Sequence, residues 1–174
     1  MTHDKLGVPS YLDTHRVYIV TAEDPFTSFL YAGAAAQYAL CLKKAGAEDP
    51  EGIDWLKEAV ETYEWGNKNL LPGDENKKPN GTSLYNARGY ASASIFVLTG
   101  EKKYEDMFVQ DMGSVNFNAP MREFTIYAPA MYALFGGSKS TNKKMYQAAY
   151  HGCILSADSL VYPSFQARAT RWAG

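Results

Sequence analysis

The sequence predicts an all-α fold whose helices alternate between an inner and an outer ring, and three observations predict it. From position 24 onward, apolar residues recur at three- and four-residue spacing. Asp-Pro, Thr-Gly and Gly-Gly steps punctuate those runs as starts and stops. The runs also alternate between nearly uncharged and strongly amphipathic, three times over. A helix that is apolar all round is buried all round, whereas one with a charged face lies against solvent, so each dry helix is expected to be backed by a wet one.

Residues 1–23 read as an extended lead-in, with the β-like stretch RVYIVT, and residues 24–174 as the helical segment. Asp24-Pro25 supplies an N-cap and a proline at the first helical position, where its missing N–H costs nothing, and Gly46 closes the run. Phe26, Phe29, Leu30, Gly33, Ala34, Gln37, Leu40 and Cys41 form one stripe of this first helix. Tyr31, Ala35, Tyr38 and Leu42 form a second, and two stripes require two neighbours. Asp49-Pro50 repeats the start signal. Ile53, Leu56, Val60 and Tyr63 line one side of a second helix that carries Glu51, Asp54, Lys57, Glu58, Glu61 and Glu64 on the other. Residues 70–83 are rich in proline, glycine and polar side chains and read as a loop.

A third helix, about 84 to 98, has Arg88 as its single charge and a run of small residues, Ala91, Ser92, Ala93 and Ser94. Those residues, with Gly33 on the first helix, predict close backbone approach. Gly100 stops it, and a fourth helix follows with Tyr104, Met107, Phe108 and Met112 on a dry side and Glu101, Glu105, Asp106 and Asp111 assigned to the wet side. The next dry run, 122–135, has Pro129 in its interior, where a bend is expected. Gly136-Gly137 ends it before an amphipathic helix from Thr141 to about Leu160. The dry helices start near 25, 84 and 121, an irregular spacing that speaks against a fixed-period solenoid.

A chain of 174 residues can bury one substantial core, and a net charge of −2 lacks the basic excess that draws nucleic acid or anionic lipid. No run approaches the roughly 18 apolar residues of a membrane span. No membrane partner and no nucleic acid are therefore expected. Cys41 and Cys153 are too few for a disulfide framework or zinc knuckle and read as small buried hydrophobes. His3 and His15 have no second ligand at suitable spacing, so neither a metal nor a cofactor is expected. Tyr, Phe and Trp together make 14%, which suits thick helix interfaces or a sugar-stacking cleft.

The stretch LTGEKKY (98–104) resembles the inner helix, threonine-glycine stop and tyrosine-bearing next helix of glycoside hydrolase family 9, the inverting endoglucanases built on an (α/α)6 toroid. DPFTSFLYAGAAAQYALCLKKAG (24–46) and DWLKEAVETYEWGNKN (54–69) are similar to that family's alanine-rich helix and its successor. ATRWAG (169–174) is similar to the approach to its tryptophan-glycine motif. Where the family opens its third helix with Asp-Glu-Leu, this chain has Asn86, Ala87 and Arg88, and Tyr90 stands at the family's tryptophan. The family's Asp-Ala-Gly-Asp base motif and its late glutamate acid are absent from these residues. The resemblance therefore implies the middle portion of a catalytic domain, an incomplete toroid hydrolysing β-1,4-glucan with inversion only when complete. A secreted or periplasmic setting goes with it.

Inversion needs a carboxylic acid and a carboxylate roughly 6.5 to 9.5 Å apart. Glu23-Asp24 and Glu123 are explained as caps or dipole partners, Asp74-Glu75 as solvated loop charge, and the fourth helix's acids as a wet face, so no catalytic residue is assigned. His151 with Cys153 cannot share a helix face at a spacing of two, and a packed histidine is the expected reading. Asn80-Gly81-Thr82 is a sequon, informative only in a secretory setting. Because toroid clefts gather the loop-to-helix junctions before each dry helix, Tyr85, Asn86, Arg88, Phe117, Asn118 and Arg122 are the candidate residues for binding a polysaccharide or oligosaccharide. Two alternatives stand beside this reading. One is a non-enzymatic helical scaffold that covers its own dry helices, the other a different toroid sugar enzyme such as an epimerase. Half a toroid would leave an apolar wall exposed and self-associate through it.

Overall fold

The computed structural model describes residues 23–77, 83–121 and 123–166. The expected lead-in up to residue 22 with His3 and His15, the sequon Asn80-Gly81-Thr82, Arg122 and the terminal ATRWAG lie outside the described residues. The fold is all-α: α1 (Pro25–Ala45), α2 (Trp55–Lys68), α3 (Leu84–Thr99), α4 (Lys102–Met112), α5 (Tyr127–Phe135) and α6 (Lys143–Gln166), with short 3-10 turns at Asp74–Asn76 and Glu123–Ile126. No strand forms among the described residues. The dry helices pack in series, α1 on α3 and α3 on α5. Each is joined by the wet helix that follows it, α2 on α1, α4 on α3 and α6 on α5.

α1 begins as its sequence dictates. Asp24 Oδ1 accepts from the Thr27 amide at 3.0 Å, and Gly46 adopts φ 63° to bring its N–H onto the Leu42 and Lys43 carbonyls. One face meets α2, where Phe29 lies edge-on to Tyr63 at 5.6 Å. The other meets α3, where a Cβ on Gly33 would fall 2.2 Å from the Tyr90 ring. Glycine is what lets these two backbones close. The expected second stripe is only half realised: Ala35 is buried while Tyr31 and Tyr38 are exposed. Cys41, expected inside, is exposed because the helix turns it away from both neighbours, and Cys153 is half-buried.

The start of α2 differs from expectation. Asp49 does not cap it. Its carboxylate accepts from the Glu51 and Ile53 amides and, at 2.7 Å, from Trp55 Nε1, closing a turn. Asp54, expected on the wet face, is the true cap, accepting from the Lys57 amide at 3.0 Å.

α3 is buried on every side from Ala91 to Val97, with Leu84, Ala87 and Gly89 also enclosed, and packs against α1, α2, α4 and α5. Its two buried serines donate to the carbonyls of Gly89 and Tyr90, so they need no outside partner. α5 corrects two expectations. Pro129 is the third residue of the α-helix, not an interior one, and lies in the first turn where an N–H has no intrahelical partner, directly after the 3-10 turn. Nor is α5 dry all round, since Tyr127, Leu134 and Phe135 are exposed. α6 runs past Leu160 to Gln166 and exposes Tyr150, Ile154, Leu160, Val161 and Tyr162. His151 is exposed where a packed histidine was expected.

Candidate functional site

The five candidate junction residues that are described separate into different environments. Tyr85, in the first turn of α3, is 38% exposed. Asn86 is half-buried. Its backbone amide is capped by Ser83 Oγ at 3.2 Å, and its side-chain nitrogen reaches Thr125 Oγ1 at 3.4 Å, linking the start of α3 to the turn before α5. Tyr127 follows two residues later, 50% exposed, with its ring 6.2 Å from that of Tyr90. Phe117 is buried against α6, where a Cβ on Gly152 would come within 3.0 Å of its ring. Asn118 is exposed, its amide held by Asn116 Oδ1 at 3.1 Å. Thr125 and Tyr127 were not singled out by sequence reasoning, because the 3-10 turn that brings Thr125 to Asn86 has no periodic signal.

Arg88 points inward. Its Nε and Nη2 donate to the two oxygens of Asp111 at 2.8 and 2.6 Å, a bidentate pair with Asp111 fully enclosed. Burial pushes the Asp111 carboxyl up, against the lowering pull of Arg88, while the hydrogen bond to Asp111 holds the guanidinium firmly charged. Burial likewise pushes the neighbouring Tyr63 phenol up to about 12. Asp111 was assigned to the wet face of α4, and the structure corrects that assignment: Tyr104, Glu105, Phe108, Asp111 and Met112 form the buried face.

Glu105 is the second corrected residue, 1% exposed. Its carboxylate accepts from Tyr132 Oη at 2.6 Å, from the Thr141 amide at 2.9 Å and hydroxyl, and from the Asn142 amide at 3.2 Å. Ser140 Oγ lies 2.7 Å from the same Tyr132 oxygen. Burial raises this carboxyl, but the donors from Thr141, Tyr132 and Asn142 outweigh it and hold it down to about 2. Asp74, expected to be solvated, is also buried. It accepts from the Leu71 amide at 2.8 Å and Lys77 Nζ at 2.6 Å, the lysine chiefly lowering its pKa. The enclosed carboxylates are thus each occupied by partners of this chain.

Among the described residues, no group of three or more His, Cys, Asp or Glu side chains is placed to hold a metal ion, and no helix is long and apolar enough to cross a membrane. No family model, curated protein or solved structure matches the chain.

Proposed function

We propose that this chain forms part of the substrate-binding wall of a helical-toroid glycoside hydrolase of the family 9 type, acting on a β-1,4-glucan by inversion in the complete domain. The observation that carries it is the joining of two inner-helix junctions. Asn86 reaches Thr125 at the starts of α3 and α5, and the same junctions expose Tyr85 and Tyr127. Tyrosine faces offer a pyranose ring area at low conformational cost, and the amide and hydroxyl between them suit sugar hydroxyls. Because Glu105 and Asp111 are enclosed and fully partnered, the reading assigns the acid and base to motifs beyond this stretch. The exposed Ile154, Leu160, Val161 and Tyr162 of α6 supply the apolar surface through which it would self-associate or continue.

A second reading, a helical scaffold for a protein partner, is favoured by the enclosure of α3 by its own neighbours. Titration with cellohexaose, followed by amide chemical shifts, separates the two. The first reading expects saturable shifts at Tyr85 and Tyr127 and a loss of about two- to tenfold in affinity for Tyr85→Ala or Tyr127→Ala. Absence of any shift at millimolar sugar, together with a monodisperse monomer by sedimentation, would reject it for the scaffold.

A further inference from the structure

At the opposite ends of the dry helices from Tyr85 and Tyr127, the last turns of α1, α3 and α5 converge on a pocket of about 440 Å³. Leu40, Val97, Leu98, Leu134 and Phe135 make its apolar lining, and Lys43 and Lys44 complete it. That volume lies at the small end of ligand-binding cavities. Neither lysine pairs with a carboxylate among the described residues, and Lys44 Nζ stands 5.6 Å from the centre of the Phe135 ring.

Helix C-termini ordinarily repel an anion, because their last carbonyls are bare. Here several of those carbonyls are taken. Gly46 N–H covers Leu42 and Lys43, Gly136 N–H covers Tyr132, and Lys139 Nζ donates to Val97 at 2.6 Å and Leu98 at 2.9 Å. The rim is left cationic above an apolar floor. We propose that this pocket binds a small unbranched alkyl monocarboxylate, with the chain against Leu98, Leu134 and Phe135 and the carboxylate between Lys43 and Lys44. The site is independent of the sugar-binding reading.

Calorimetric titration of the full chain with hexanoate, octanoate and decanoate, each below its micelle-forming concentration, tests this, with decanol as the neutral control. Affinity is expected to rise about two- to fourfold per added methylene, and decanoate to bind about fivefold more tightly than decanol. The double variant Lys43→Gln/Lys44→Gln should remove that preference and leave decanol binding unchanged. Leu134→Gln, at a position 61% exposed and so tolerant of change, should weaken both ligands. Three results would each overturn the assignment: no saturable binding of decanoate, equal binding of decanol, or binding only to anionic lipid vesicles and not to the monomeric acid.

Discussion

Replacing Glu105 with glutamine removes a negative charge that several hydrogen-bond donors surround, and its cost follows from the geometry. Held at about 2 in the folded chain against 4.5 when free, the carboxyl contributes about 3 kcal/mol of stability at neutral pH. Its folded pKa is depressed, so that contribution is complete above the unfolded value and is lost as the pH falls from about 4.5 toward about 2. Glutamine is a poor substitute, because in either orientation its NH2 group meets the Thr141 amide, itself a donor that reaches both carboxylate oxygens. Urea unfolding of the parent and Glu105→Gln chains at steps between pH 7 and pH 2.5 measures the effect. At pH 7 the variant should be less stable by about 2–4 kcal/mol, a fall of roughly 5–15 °C in Tm for a chain of this size. It should also lack the part of the acid-induced decline that begins near pH 4.5. Identical pH profiles for the two chains, or a neutral-pH difference below about 0.5 kcal/mol, would refute the claim that these donors hold an ionised carboxylate.

Two further perturbations address the packing around α3. Arg88→Met leaves Asp111 buried and uncompensated and should cost about 3–5 kcal/mol. Arg88→Met/Asp111→Leu should recover more than half of that loss in urea unfolding, and strictly additive losses would count against a coupled pair. Gly33→Ala places a methyl against the Tyr90 ring and should cost about 1–3 kcal/mol by thermal unfolding. The loss should shrink in a Tyr90→Leu background, and an equal loss in both backgrounds would point to a cause other than this contact.

Legibility in the sequence followed the locality of the interaction. The ends of α1 were readable because Asp24, Pro25 and Gly46 act on their own helix, and the enclosure of α3 was readable from its lack of a wet face. The start of α2 was misread because two aspartates five residues apart compete as caps. Only the indole of Trp55, which claims Asp49, decides between them. Glu105 and Asp111 were placed outside because charge was weighed above position. Both fall in register with Tyr104, Phe108 and Met112, and the unpaired Arg88 in a dry helix was the signal that an acid would be drawn inside to meet it. The Asn86–Thr125 contact spans 39 residues, and the partners of Glu105 lie 27 to 37 residues away, distances that no periodic pattern encodes.

The residues from Lys139 to Asn142 have a consequence for synthesis on the ribosome. Lys139 covers the terminal carbonyls of α3, Ser140 meets Tyr132, and Thr141 and Asn142 surround Glu105. Translation delivers α3 and α4 first, so the nascent chain carries an acid and two carbonyls whose protein partners have not yet been made. Four consecutive residues then supply those partners. A polypeptide released before them would hold its second pair of helices only loosely, whatever the quality of the apolar packing beneath.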